Sequence, residues 1–429
     1  MTSMTFLHNS TASALEARSL ADWLEHLSVL HPKNIELGLE RVALVYQQLN
    51  LDFSACTVVT VAGTNGKGTT CVMLEQASLV AGKSVAVYSS PHLLDYRERV
   101  RVNGAMLDEA AHCLAFSKVE QARGEIALTY FEFGTLAALQ LMHDAGVDIL
   151  LLEVGLGGRL DAVNVIDADI AVITSIDLDH QDWLGTTKEQ IAREKAGIFR
   201  AKGVAVIGEP LPLQALIKAV DQLEVQASWQ GQDFHVQQTQ GGFDWSNANI
   251  QLTDLPLPHI PLQNASTALQ VIQLLKFDLD LPQLKYILAH SHLPGRQQLL
   301  QSEPDVLLDV AHNPHATRHL YSLLATRSYR DIYLVAGMLK DKDIASTFAP
   351  LYPLNATWLL SSLDVPRGAS AGDLKMVLDQ GQRVLEFPTI KQAYQHAIDS
   401  ADKEDLIVVF GSFFTVAEVL NLNQVLRMN

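Results

Sequence analysis

The stretch Thr57–Thr70 constrains the fold more than any other. A β-branched run, Thr57–Ala62, leads directly into Gly63-Thr64-Asn65-Gly66-Lys67-Gly68-Thr69-Thr70, and helical periodicity follows over Thr69–Ala81. Glycines let the backbone curl so that successive N–H groups converge. The helix N-terminus adds the positive end of its dipole, and Lys67 adds a point charge; together they make a phosphate cradle. The spacing departs from the usual Walker A pattern, which wants glycine at Val61 and a hydroxyl at Gly68; here the hydroxyl comes one residue later, at Thr69. The bland alternative is a Gly-rich turn with no ligand. The strand–loop–helix context and the Gly66-Lys67 pair weigh against it.

The rest of the chain repeats the alternation. Strand candidates are Ser84–Tyr88, Asp148–Glu153, Ile170–Ser175 and Val204–Gly208, with helical patterns between them such as Thr187–Ala196. Ala227–Leu252 is rich in Gln, Asn, Trp and Gly and reads as a solvated β-hairpin. A helical pattern resumes at Ala265–Leu275. A second series has strands at Asp305–Asp309, Ile332–Ala336, Ala356–Leu360, Val384–Phe387 and Leu406–Phe410, each followed by a helical pattern. The turn-prone Leu293-Pro294-Gly295-Arg296 separates the two series. The expected class is α/β, with a mostly parallel sheet in a first domain (1–294), a linker (295–299) and a smaller α/β domain (300–429).

Composition closes off other classes. The formal charge of −17 argues against a nucleic-acid-binding face. Three cysteines, Cys56, Cys71 and Cys113, with no Cys-x-x-Cys pair, exclude a disulfide framework and fit a reducing compartment. No apolar run approaches the roughly 20 residues of a membrane span. Met1–Ser10 lacks the pattern of a signal peptide. A cytoplasmic protein without membrane association is expected.

Other polar groups fall at strand ends. Ser89-Ser90-Pro91-His92 follows the second strand, Glu153 ends a very apolar one, and Asp177-Leu178-Asp179-His180 follows the next. Ligands in open α/β sheets bind off the carboxyl ends of strands. A hydroxyl, a carboxylate and an imidazole there can hold Mg²⁺ beside nucleotide phosphates. Singly each reads as a solvated strand end; together with the loop they favour a shared metal–nucleotide site. Gly155-Leu156-Gly157-Gly158 lacks the third glycine of a dinucleotide fingerprint, because position 160 is Leu160. His312-Asn313-Pro314-His315 has His-x-x-His spacing, but Pro314 interrupts any helix between the two, so it reads as a polar strand-end loop. Lys195, in Glu194-Lys195-Ala196-Gly197, reads by default as a solvated helix-terminal cation.

Taken in order, Val61–Thr69, Ser89–Leu93, Glu153–Ala162, Asp179-His180 with Trp183-Leu184-Gly185, Arg193–Gly197 and Asp309–Pro314 form a combination that closely resembles the bacterial dihydrofolate synthase/folylpolyglutamate synthase family of the Mur ligase superfamily. The resemblance runs from about Asp22 to about Glu418. It implies a P-loop ATPase domain with an N-terminal pterin-binding segment, joined to a smaller Rossmann-like C-terminal domain. It implies ATP-dependent amide formation on dihydropteroate, and on tetrahydrofolate and its polyglutamates, with L-glutamate as the amine. ATP and two Mg²⁺ are the implied cofactors, and the enzyme is expected to be a monomer. By motif, Thr64, Asn65, Gly66 and Lys67 hold ATP phosphates, Ser90, Glu153 and His180 are metal ligands, and Lys195 is a carbamylated lysine. Asn264, Arg296 and Asp309 match nucleotide contacts. Glu36-Leu37-Gly38, Thr129-Tyr130-Phe131-Glu132 and Leu160-Asp161-Ala162 match the pterin site; the family's pattern has Asp where this chain has Glu36. His312 and Ser412 match the glutamate and acyl-phosphate region. Three rival readings stand beside this one: a monofunctional folylpolyglutamate synthase, a Mur-type ligase for a UDP-sugar peptide, and a P-loop protein that only hydrolyses ATP.

Overall fold

The computed structural model describes residues 18–33 and 35–428, so the reading of Met1–Ser10 lies outside the described residues. Two compact units divide the described residues: those up to 178 with 182–291, and 179–181 with those from 292 onward.

The first unit is built on eight strands: β1 (Thr57–Ala62), β2 (Val85–Tyr88), β3 (Val100–Val102), β4 (Ala105–Met106), β5 (Ile149–Glu153), β6 (Ile170–Ile173), β7 (Val204–Ile207) and β8 (Gln226–Trp229). Their order is β4-β3-β2-β5-β1-β6-β7-β8. From β2 to β8 all neighbours are parallel; β3 and β4 add an antiparallel edge. The central strands are mostly aliphatic because helices cover both faces. Ile149–Glu153 is buried at every position. One face packs Trp23, Tyr96, Phe116 and Phe133 from flanking helices and a turn. The other packs Met73 and Leu74 of the helix Lys67–Val80 against Ala265 and Leu269 of the helix Leu262–Leu274. Val61 is in register with Glu153, so the phosphate loop and Glu153 leave the sheet at the same carboxyl edge.

The region read as a solvated hairpin is different. Gln226–Trp229 is β8 and extends the main sheet in parallel. β9 (Phe234–Gln238), β10 (Phe243–Asn247) and β11 (Gln251–Leu255) form a separate three-stranded antiparallel sheet. Its apolar side is not solvated: Phe234, Phe243, Trp245 and Leu255 are buried. The Trp245 Nε1 donates to the Ser266 carbonyl at 3.2 Å. Period-2 alternation hid this face within a polar composition.

The second unit holds β12 (Gln298–Gln301), β13 (Asp305–Asp309), β14 (Ile332–Ala336), β15 (Thr357–Ser361), β16 (Arg383–Phe387) and β17 (Leu406–Phe410), ordered β12-β13-β17-β14-β15-β16. All neighbours are parallel except β12 with β13. Its core centres on Phe348, Trp358 and Phe410. Asp309 pairs with Phe410, which sets its carboxylate at the carboxyl edge of this sheet.

Candidate active site

The phosphate loop is held on β6. Thr64 N donates to the Ser175 carbonyl at 2.7 Å, and the Asn65 carbonyl accepts from the Thr174 and Ser175 hydroxyls at 2.7 and 3.1 Å. The Thr64 hydroxyl accepts from Asp177 N and donates to the Asp177 carbonyl, both at 3.0 Å. Two glycines are required here. A Cβ at Gly63 would collide with the Thr174 hydroxyl, and Gly66 sits at φ 88° as the N-cap of the helix Lys67–Val80, against the Asn264 amide. Asn264, buried, donates to the Thr69 hydroxyl at 2.9 Å, which ties the helix Leu262–Leu274 to the loop. Thr174 and Ser175 were not singled out from sequence. Their signal was two hydroxyl residues at the end of a strand candidate, beside the loop.

Lys67 is half-buried and folds back on its own loop, with Nζ 3.1 Å from the Gly63 carbonyl. Lys195 donates to that same oxygen at 2.9 Å and is only 3% exposed. The default reading of Lys195 as a solvated terminal cation is therefore overturned. The cause is non-local. The loop after β5 lies against the end of the helix Lys188–Ala196: Arg159 N donates to the Glu194 carbonyl at 2.8 Å, and a Cβ at Gly158 would stand 3.1 Å from Lys195 Cα. The glycines that looked like a failed dinucleotide motif are what let this loop seat against Lys195.

At the end of β5, Glu153 is 7% exposed and accepts from Ser90 N at 3.3 Å. Ser90 and Glu153, predicted as metal ligands, thus stand together in the first unit. His180, counted with the second unit, takes a left-handed conformation (φ 50°) and keeps an exposed side chain. Among the described residues no group of three or more His, Cys, Asp or Glu side chains could hold a metal ion. An all-protein cage is thus absent there. A carboxylate with a neighbouring hydroxyl-bearing residue at a phosphate-loop edge fits Mg²⁺, which takes few protein oxygens and fills its remaining positions with phosphate and water.

The three segments expected at the pterin are linked by contacts. Glu36 pairs with His31 at 3.2 Å and with Lys33 and Arg41 at 3.6 Å. Arg41 reaches across to Glu132, with Nε 2.9 Å from both carboxylate oxygens and a terminal nitrogen 2.8 Å from one. Arg41 also donates to the Glu36 carbonyl at 2.7 Å. Leu37 and Gly38 lead from Glu36 into the helix Glu40–Leu49. Thr129 and Glu132 cap the helix Tyr130–Ala145 reciprocally, Thr129 N donating to Glu132 at 2.8 Å. Phe131 lies over Gly155, where a Cβ would strike its ring. Asp161 is buried and accepts from Leu156 N at 2.7 Å and Val163 N at 2.9 Å. Burial raises its carboxyl to about 6 against the opposing pull of those amides. Leu160 is half-buried and Ala162 buried on either side of it. Arg41, the link between two of these segments, carried no sequence signal beyond lying on an amphipathic helix.

In the second unit, Asp309 is buried and accepts from Gln297 N at 3.1 Å and Ala311 N at 2.8 Å. Burial raises its carboxyl, opposed by the Arg296 charge. The Arg296 guanidinium lies 4.7 Å from the Phe413 ring centre. His312 bonds through Nδ1 to the Val310 carbonyl at 2.9 Å, so that nitrogen carries the proton. Asn313 caps the helix Pro314–Leu324, consistent with a strand-end loop in place of a zinc site. Within the same unit Asp179 is bound by Lys342 at 2.7 Å, and its carboxyl lies far below the usual range; burial opposes the shift, and His312 and Lys342 outweigh it. Ser412 is buried with its hydroxyl shared with Thr415 at 2.7 Å, and Thr415 in turn donates to the Gly337 carbonyl at 2.7 Å. Ser412 therefore secures the turn into the last helix.

A nucleotide-dependent ligase architecture, with a phosphate-loop unit followed by a smaller parallel-sheet unit, is matched by two family models: the Mur ligase middle domain over residues 61–258 and the Mur ligase glutamate ligase domain over 295–413. The dihydrofolate synthase/folylpolyglutamate synthase of Escherichia coli K12 is 46% identical over 95% of this chain and 96% of its own length. A solved structure of E. coli FolC in complex with DHPP and ADP superposes with a TM-score of 0.93 at 45% identity, covering 96% of this chain and 99% of that one. The Yersinia pestis bifunctional folylpolyglutamate synthase/dihydrofolate synthase complexed with AMPPNP and Mn ion gives 0.90 at 47% identity, covering 95% and 99%. The chain belongs to the dihydrofolate synthase/folylpolyglutamate synthase family of ATP-dependent ligases.

Proposed function

We propose that this protein joins L-glutamate to dihydropteroate, giving dihydrofolate, and to tetrahydrofolates, giving polyglutamates, with ATP as the activating substrate. One observation carries the reading. In the first unit the phosphate loop and the Ser90–Glu153 pair stand at the carboxyl ends of β1, β2 and β5, and Phe131, from one of the segments assigned to the pterin, lies over Gly155 in the loop that follows β5.

A carboxylate is a poor electrophile, and phosphorylation converts it to an acyl phosphate with a good leaving group. The glutamate amine then attacks the carbonyl and inorganic phosphate departs. The N–H groups of Thr64–Gly66 and the Lys67 ammonium receive the ATP phosphates. Asn264 fixes the start of the loop helix, while Arg296 and Asp309 of the second unit take the nucleoside end. Ser90, Glu153 and His180 would hold Mg²⁺, which neutralises crowded phosphate oxygens when bound. Phe131, Asp161 and the Glu36–Gly38 segment orient the pterin; Thr129 and Glu132 hold that surface in shape. His312 is assigned to the glutamate and acyl-phosphate region, and Ser412 contributes to it through the turn it fixes.

Lys195 is assigned as a carbamate. Two ammonium groups on one carbonyl oxygen repel each other, and a carbamate on Lys195 turns that pair into an attractive one while supplying an anion for a second Mg²⁺. The protein acts as a monomer in the cytoplasm; its cysteines are free, and among the described residues no helix is long and apolar enough to cross a membrane.

The test offers purified protein, ATP, Mg²⁺ and glutamate with dihydropteroate or tetrahydrofolate separately, and reads products by mass. Both should gain glutamate. Product from tetrahydrofolate alone would return the monofunctional reading. ADP release without glutamate dependence would return the hydrolase reading.

A further inference from the structure

The turn after β2 and the strand β3 carry three arginines in alternation, Arg97, Arg99 and Arg101, and they are not alike. Arg97 is paired with Asp95 at 2.6 Å and Arg101 with Glu75 at 2.8 Å. Arg99 is 8% exposed, and no carboxylate pairs with it among the described residues. Its Nε donates to His92 Nδ1 at 2.9 Å. A guanidinium can only donate, so Nδ1 is the acceptor and the ring proton sits on Nε2; His92 meets Arg99 as a neutral ring. The guanidinium carbon lies 5.3 Å from the Tyr96 ring centre and 5.6 Å from that of Tyr130. The Tyr88 hydroxyl also accepts a hydrogen bond from Arg99. These partners are all neutral and compensate a buried cation only partly; burying a charge is costly unless an anion completes the pairing.

The position of this charge says which anion. Tyr130 precedes Phe131, which lies over Gly155 in the pterin region. His92 lies two residues after Ser90, whose amide meets Glu153. Ser89 N donates to the Arg99 carbonyl at 2.9 Å, which closes the segment and holds Arg99 next to both. Arg99 thus stands between the surface assigned to the pterin and the edge where its acid is activated. We propose that Arg99, oriented by His92, binds the carboxylate of the pterin-bearing acid substrate. The two terminal nitrogens of its planar fork suit a carboxylate, and the same contact serves an arylcarboxylate or a glutamyl carboxylate. The proposal rests on the ligase reading, and names the group that recognises its acid substrate.

The experiment compares dihydropteroate with the analogue whose carboxylate is a primary carboxamide, by titration calorimetry on full-length protein with Mg²⁺-ADP present. Wild type should prefer the carboxylate by about 10- to 100-fold, the range for hydrogen bonds to a charged partner. Arg99→Gln should bind the carboxylate correspondingly more weakly and the carboxamide unchanged, with KM for ATP and glutamate unaltered. Arg99→Lys, which keeps the charge but not the fork, should retain part of the preference, and it serves alone if the Gln variant does not fold. Equal weakening of both ligands would make Arg99 a support for Tyr96 and Tyr130 and overturn the proposal, as would a wild type without carboxylate preference. Failure of the ligase reading shows separately, as wild-type protein that has the preference but forms no dihydrofolate.

Discussion

Replacing Arg41 by Ala isolates the energetics of the pterin-side framework. Glu132 is 3% exposed, and its carboxylate is served by Arg41 on both oxygens and by Thr129 N. Removing one partner of a buried ion pair typically costs about 3–5 kcal/mol, because the other charge is stranded. Here the arginine side chain is 23% exposed, so water can enter the vacated space, and the Thr129 amide remains. The expected loss is therefore about 2–3 kcal/mol. Glu132→Gln should cost less, about 1 kcal/mol, since an amide oxygen still accepts from Thr129 N and Arg41 can turn to Glu36. Combining the two should recover part of the Arg41→Ala loss. The deficit should also shrink on acidification, because a stranded buried carboxyl takes up a proton in the folded state before it does in the unfolded one. Urea unfolding, followed by the near-ultraviolet signal to which Trp23, Trp183, Trp229 and Trp245 of the first unit contribute, would be run at about pH 5 and pH 8 on the four proteins. Two units need not unfold together, so the first-unit transition is the one to fit. Additive losses in the cycle, or a deficit equal at both pH values, would refute the ion-pair argument.

Lys67→Ala should sharply reduce amide formation, a transition-state loss of about 2–4 kcal/mol, with a nearly unchanged melting temperature, because the Lys67 side chain bonds carbonyls of its own loop and no distant element; near-normal turnover would remove the phosphate-loop assignment. Lys195→Ala should lose activity, and acetate should partly restore it by filling the acidic position; a fully active variant would rule out the carbamate. Asp161, raised to about 6 in the folded protein, binds more protons folded than unfolded between about pH 4 and 6. Its contribution to stability is thus fully present below the ordinary carboxyl value and falls as pH rises through that window, a change of about 3 kcal/mol. Asp161→Asn should flatten that slope while losing one of the two accepted amides, and an unchanged pH profile of unfolding would count against the shift.

Much of the fold was legible because strand burial and strand composition coincide. β1, β13, β14 and β17 match the runs read from sequence; β1, β14 and β17 run into a glycine, and β13 ends on Asp309. The loops at their carboxyl ends were legible for the same reason, since a Gly-Lys pair or an acid at the end of an apolar run has few uses. What escaped was set by partners distant in sequence. Lys195 sits at a helix end, where solvent is the ordinary expectation; the loop after β5 and the phosphate loop, both distant in sequence, meet it there. β8 follows a helix as part of the parallel series, yet its Gln-Ala-Ser-Trp composition matches the polar stretch after it, so the two merged into one apparent hairpin. Arg99 escaped because alternating arginines look equivalent until their counter-ions are known.

The seating of the Gly155–Arg159 loop against the end of the helix Lys188–Ala196 bears on how sequences of this kind can diverge. Gly158 meets the backbone of Glu194 and Lys195, and Gly197 meets Arg159, so each segment supplies the small residue that the other requires. Neither can drift alone. A side chain gained on one side would have to be matched by a displacement of the other, and that displacement would move Lys195 off the Gly63 carbonyl. Two stretches that look like separate signatures along the chain would then be inherited as one unit, and a functional graft between relatives would have to carry both.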